Sequence, residues 1–134
     1  LNLHDTHITD ESLLHLAKFP QLETLLLVGT RITGQGLKAL QKLDRLRELH
    51  LSRTRIADAD LLPLQGLSRF AILDLEDTPI TDAGLKTLQT WPSLAHVNVN
   101  ATNVTQAGVN ELRRARPDLK VVYNKPGPPS LPNW

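Results

Sequence analysis

The chain has 134 residues, enough for one domain, with 40% apolar residues led by leucine and few aromatics. Fifteen basic residues nearly balance fourteen acidic ones, and a net charge of +1 gives no reason to expect a nucleic acid partner. The absence of cysteine excludes disulfides, thiolate metal sites and a cysteine nucleophile, and no apolar run approaches the ~20 residues needed to cross a bilayer, so no membrane partner is expected.

The first unit opens at Leu1. Leu1 and Leu3 alternate as a short strand with one buried face does, and Thr6 and Ile8 follow. Thr9-Asp10 suits a helix start, and Leu13 and Leu16 mark one face of a short helix. The second unit repeats this with Leu25, Leu27, Thr30 and Ile32, then Leu37, Leu40 and Leu43, and Leu46 leads back to a strand. Leu49, Leu51, Thr54 and Ile56 begin the third, Leu73, Leu75, Thr78 and Ile80 the fourth, and Val97, Val99, Thr102 and Val104 the fifth. The threonine returns every 24 residues, and a period of that size signals stacked structural repeats. Each unit reads as strand, turn, short helix and return, with right-handed crossovers between parallel strands.

The threonines are expected to close buried turns, for their own units and neighbouring ones, because turn groups that cannot reach water need partners. Asp58 and Thr81-Asp82 fit helix starts as Thr9-Asp10 does. Gly36, Gly84 and Gly108 share a phase, held by Ser12 and Asp60 in the other units, and suggest close passage of a neighbouring backbone. Pro63 falls inside the third helical segment, which is expected to be shortened, kinked or to begin near it. In the last unit Leu119 lies one residue late, so the strand at 119–124 turns inward either Val122 or the pair Val121 and Tyr123. The proline-rich stretch 125–134 reads as a C-terminal cap or a linker.

The pattern LxxLxLxxTxI resembles the leucine-rich repeat family, with threonine in the Asn/Cys place of LxxLxLxxN/CxL. The run Ile80-Thr81-Asp82-Ala83-Gly84-Leu85-Lys86-Thr87-Leu88 is similar to the convex segment of 24-residue repeats common in large bacterial multidomain proteins. The resemblance covers about residues 1–124, read as five repeats. It implies an α/β solenoid with a parallel concave sheet and short convex helices, binding proteins or other ligands on the concave face. It implies no single activity.

Strands lie about 4.8 Å apart and packed helices 8–10 Å apart, so the stack must curve with the sheet inside. The residues between the inward leucines face the concave side. One column holds Asn2, Leu26, His50, Asp74 and Asn98; the next holds His4, Val28, Ser52, Glu76 and Asn100; the one before holds Thr24, Glu48, Ile72 and His96. Leu26 and Val28 form an apolar foothold, while Asp74, Glu76 and Asp77 gather negative charge and Arg31, Arg53 and Arg55 positive charge. His50 is expected beside Asp74. The expected partner-binding residues are Leu26, Val28, Glu48, His50, Asp74 and Glu76.

Chemistry of the chain's own is not expected. His50, Asp74, Glu76 and His96 lack the close His spacing of a zinc site, and no serine sits in GxSxG. No GxxxxGK[ST] or GxGxxG loop is present, so neither catalytic, metal nor cofactor residues are assigned. Asn100-Ala101-Thr102 and Asn103-Val104-Thr105 match the glycosylation sequon, but the repeat already accounts for both threonines. The chain reads as a non-catalytic protein-binding module and a piece of a longer protein, since Leu1 begins in mid-pattern without Met. The alternative is a structural or regulatory spacer that contacts another domain of its own polypeptide. An uncapped apolar first repeat adds end-to-end self-association as an expectation.

Overall fold

The computed structural model describes residues 1–124. The cap or linker expected at 125–134 lies outside the described residues. Five short strands form one parallel sheet in sequence order: β1 (Thr24–Leu26), β2 (Glu48–His50), β3 (Ile72–Asp74), β4 (His96–Asn98) and β5 (Lys120–Val122). Pairing advances by 24 residues at each step, Leu25 to Leu49, Leu73, Val97 and Val121. The first unit adds a partial sixth rung: Asn2 bridges Leu26, and the Leu3 N–H donates to Leu26 O at 2.9 Å. Helices α1 (Asp10–Leu16), α2 (Gly34–Leu37), α3 (Asp82–Leu88) and α4 (Gln106–Ala115) lie between the strands. A 3-10 stretch, Lys38–Lys42, continues α2, and another, Asp58–Leu64, takes the helical place of the third unit. The inward residues Leu25, Leu27, Leu49, Leu51, Leu73, Leu75, Val97 and Val99 are buried against Leu13, Leu37, Leu61, Leu85 and Val109 from the helical side. Phe70 and Trp91 meet edge to face in an otherwise aliphatic core, with centroids 5.9 Å apart.

A left-handed residue follows the partial first rung and each of β1 to β4. The positions recur every 24 residues as Asp5 (φ 52°), Gly29 (68°), Arg53 (57°), Asp77 (53°) and Ala101 (54°). This conformation costs a residue with a Cβ about 1–2 kcal/mol, so the turn needs support. The next residue supplies it. The hydroxyls of Thr6, Thr30, Thr54, Thr78 and Thr102 donate to the carbonyls of Leu3, Leu27, Leu51, Leu75 and Val99 at 2.6–2.7 Å. These bonds close the turn of each unit itself and do not reach the neighbouring carbonyls, as the sequence had also suggested.

A second set of contacts ties each helical start to the unit before it. Asp10 accepts from the Thr33 N–H and hydroxyl at 2.7 and 2.5 Å, Asp58 from Thr81 at 2.8 and 2.5 Å, and Asp82 from Thr105 at 2.8 and 2.6 Å. A Cβ on Gly36, Gly84 or Gly108 would collide with the carboxylates of Asp10, Asp58 and Asp82 respectively. The shared glycine phase therefore clears a side chain of the preceding unit, not its backbone. The third unit inverts the arrangement. Asp60 takes the glycine phase, Gly34 the carboxylate phase and Ala57 the threonine phase. The Asp60 carboxylate accepts from the Ala57 N–H at 2.8 Å, in the space that a side chain at Gly34 would fill.

Two expectations are resolved here. Pro63 neither shortens the third helical segment nor starts it: Asp58–Leu64 spans seven residues, as many as α1 and α3. It is wound as a 3-10 helix, whose bonds run to the third residue back, which relieves the clash a proline ring makes with the carbonyl four residues back. In the last unit Val121 is inward, 8% exposed, and Val122 is outward at 38%. No residue is inserted: β5 keeps the 24-residue step from Val97 to Val121, and Leu119, one place late, turns its N–H back to Arg116 O at 3.1 Å after an α4 of ten residues. Arg116 also donates to the carbonyls of Trp91 (2.5 Å) and Leu94 (2.8 Å) in the preceding unit. It pairs with Asp118, whose carboxyl its hydrogen bonds hold below the usual carboxylate range.

Gly108 tests the clearance directly. Alanine inside a helix gains about 1 kcal/mol over glycine, whereas the collision with Asp82 costs about 1–3 kcal/mol. Gly108→Ala is expected to destabilise the chain in urea unfolding and to lose most of that cost in an Asp82→Ala background. Equal cost in both backgrounds would show that the carboxylate is not what the glycine accommodates.

Candidate functional site

The register sets the concave columns side by side. Leu26, His50, Asp74, Asn98 and Val122 form one row across β1 to β5, and Thr24, Glu48, Ile72, His96 and Lys120 another. The period of two that buries the leucines leaves these residues on the opposite face of the sheet. Leu26, Val28 and Ile72 are half-buried, which supports an apolar foothold.

His50 stands between two carboxylates. Its Nε2 is 2.7 Å from Glu48 Oε1 and its Nδ1 is 3.4 Å from Asp74 Oδ2. The first is a hydrogen bond; the second is a close approach outside hydrogen-bond geometry. The Thr24 hydroxyl donates to the other Glu48 oxygen at 3.4 Å, so a polar chain crosses β1, β2 and β3. The His50 side chain is 25% exposed and that of Asp74 20%, so these partners are partly screened from water.

Asp74 also has a task in the scaffold. Its Oδ1 accepts from the Glu76 N–H at 3.0 Å, as Asn2 does from His4 and Asn98 from Asn100, each at 3.0 Å. The recurrence of Asn or Asp at 2, 74 and 98 is the sequence signal for this turn. Glu76 is exposed, and its Oε2 accepts from Asn98 Nδ2 at 3.1 Å.

Three of the six expected residues share one cleft. Val28, Asp74 and Glu76 line a hollow of ≈ 300 Å³ together with Ser52, Arg53 and Asp77. Glu48 lines a separate hollow of ≈ 250 Å³ with Glu23, Thr24, Arg47, Ala71 and Ile72. His50 links the two through its carboxylate contacts, and Leu26 flanks His50 in the same row. Ser52 lies between Val28 and Glu76 in its concave column. It is 7% exposed, and its hydroxyl has no hydrogen-bond partner among the described residues. The basic cluster also forms: Arg31, Arg53 and Arg55 surround a hollow with Thr30 and Thr33. Arg53 reaches across Gly29 to Asp5, with Nη2 3.1 Å from Oδ1.

Among the described residues no group of three or more His, Cys, Asp or Glu is placed to hold a metal ion. No helix among them is long and apolar enough to cross a membrane.

Residues 72–88, from β3 through α3, match the family model described as leucine rich repeat. No curated protein is matched at a significant level. Solved structures are matched across most of the chain. A leucine-rich-repeat protein of Leptospira interrogans aligns with a TM-score of 0.67 at 19% identity, over 90% of this chain and 30% of that one. Internalin C2 of Listeria monocytogenes aligns at 0.59 and 24% identity, over 81% and 45%. Internalin F of the same organism aligns at 0.59 and 16%, over 93% and 40%. The chain shares the α/β solenoid fold of these solved structures. It spans less than half the length of each of these three solved chains.

The two tasks of Asp74 separate by substitution. Asp74→Ala removes the bond to the Glu76 N–H and is expected to cost about 1 kcal/mol in urea unfolding. Asp74→Asn keeps that acceptor and is expected to retain near-native stability while removing the charge. Equal losses would assign the stability to the charge and not to the turn.

Proposed function

We propose that this chain is a non-catalytic module that binds a protein partner on its concave face, as part of a longer protein. The observation that carries the reading is the division of labour between columns. The inward columns are apolar, buried and nearly identical from unit to unit. The concave columns vary between units and combine half-buried Leu26 and Val28 with the carboxylates of Asp74, Glu76 and Asp77. A half-apolar surface with fixed polar groups gives a partner both an area to bury and a register to recognise.

Size sets a limit. Strands spaced ~4.8 Å apart span ~20 Å, and three residues of strand add ~10 Å, for roughly 200 Å² against the ~800 Å² of a standard interface per partner. Tight binding therefore draws on the rim, where Arg31 and Arg55 stand, or on further repeats. The first unit offers a place for such repeats: Leu1, Leu16, Phe19, Gln21 and Leu22 line an open, mostly apolar hollow of ≈ 360 Å³, and Leu1 and Phe19 are exposed. This end stacks on another repeat, or on a second copy when none is present.

A single set of variants tests the reading. A photo-crosslinker at residue 96, exposed on the concave face, is expected to trap a partner protein from a lysate of the source cells. The triple variant Leu26→Ala, Asp74→Asn, Glu76→Gln is expected to lose that adduct about tenfold or more while keeping its fold. Phe19→Ser is expected to reduce self-association in sedimentation and leave the adduct intact. Unchanged trapping by the triple variant would remove the concave face as the docking surface and favour a spacer role within the polypeptide.

A further inference from the structure

We infer that the open face of the first unit receives one further repeat, and that this repeat carries a small residue, glycine above all, at the phase held by Asp10, Asp58 and Asp82. The inference rests on the reading that repeats extend the stack at this end, and it names the chemistry of the unit that fits. Leu1 is 50% exposed and Phe19 60%, while Leu16 and Leu22 are half-buried. Their counterparts one unit later, Leu25, Leu43, Leu40 and Leu46, are fully buried, and those in the third and fourth units are buried as well. Units two to four have a neighbour on either side, and the first has one on its later side only. Its open face is therefore the surface that each later unit packs against its predecessor.

The sheet edge restricts the occupant to a unit that brings a strand. Leu26 donates its N–H to Leu1 O at 3.0 Å and accepts from the Leu3 N–H at 2.9 Å, so both of its main-chain groups face the first unit. The same register turns the N–H and carbonyl of Asn2 to the open side, where neither has a partner among the described residues. A parallel strand satisfies both groups, as the first unit does for β1, and a helical plug satisfies neither.

The helical side sets the residue. Asp10, Asp58 and Asp82 each face a glycine in the following unit, where a Cβ would collide with the carboxylate. The third unit follows Gly34 instead, and there a side chain does hold the glycine phase: Asp60 accepts from the Ala57 N–H at 2.8 Å. Ser12 repeats that arrangement in the first unit. Its Oγ accepts from the Thr9 N–H at 3.3 Å, the donor that a preceding carboxylate engages at Thr33, Thr81 and Thr105. The Ser12 Cβ fills the space such a carboxylate needs, and its hydroxyl already serves the same donor. A preceding unit with aspartate is disfavoured on both counts, and one with glycine fits.

The test extends the chain by a copy of residues 25–48 joined before Leu1, which brings Gly34 to the deciding phase. The melting temperature is expected to rise, and hydrogen exchange at the Asn2 amide to slow about tenfold or more. Gly34→Asp within the copy is expected to lower the melting temperature by about 4 °C or more while Ser12 is present, and to leave it level or raise it in a Ser12→Gly background. An equal effect of the aspartate in both backgrounds would overturn the small-residue requirement and leave the stacking intact. No rise in melting temperature and no slowing at Asn2 with either copy would overturn the stacking itself. Exchange at Asn2 that slows with concentration in the unextended chain, and not on extension, would make a second copy the occupant and overturn the inference.

Discussion

The hydrogen bond from a threonine hydroxyl to the carbonyl three residues earlier is the contact on which the stack depends. The first rung and strands β1 to β4 must each leave the sheet and turn the chain back under the leucines, and they do so through a left-handed residue. Only Gly29 adopts that conformation freely; Arg53 and Ala101 hold it against a cost of about 1–2 kcal/mol. A buried hydrogen bond contributes about 1 kcal/mol, so the threonine offsets most of the strain in its own unit. Thr30, Thr54 and Thr78 are buried, where water cannot take over the bond. With the turn fixed, the ladder extends past each strand: Gly29 and Arg53 donate to Ser52 and Glu76 in the next unit at 2.9 Å.

The helical side is held by a different device with the same period. A carboxylate of one unit grips the threonine that starts the next helix, and a glycine three residues further clears room for it. The third unit exchanges all three roles at once. Gly34, Ala57 and Asp60 depart from the pattern together, so the three positions behave as one contact and not as independent preferences. Backbone geometry adapts similarly at Pro63, where the helical winding changes and the buried Leu61 and Leu64 keep their places.

The parts of the fold carried by short-range pattern were legible in the sequence. Alternating leucines gave the strands, the threonine column gave the turns, and the 24-residue step gave the pairing register, including His50 beside Asp74. Features that depend on two units at once were harder to read. Gly108 looks like a helix glycine until Asp82, 26 residues earlier, is placed against it. Arg116 carries no pattern, because its partners are main-chain carbonyls of the preceding unit. In the concave face, column membership was readable but side-chain reach was not. Val28, Asp74 and Glu76 meet in one cleft, Glu48 turns toward another, and the buried Ser52 hydroxyl emerges only from packing.

Because the repeating contacts hold the turns and helix starts, the concave residues are free to differ from unit to unit. That separation rests on the threonine bond, and Thr54 is the best place to measure it, with Arg53 the bulkiest residue in the left-handed set. Equilibrium urea unfolding of Thr54→Val keeps the shape of the side chain and removes only the hydroxyl. The account requires a loss of about 1–3 kcal/mol with an unchanged dependence on urea, because the Leu51 carbonyl loses its hydroxyl partner beside a strained turn. Stability equal to that of the native chain would contradict it and show that the turns hold without their threonines.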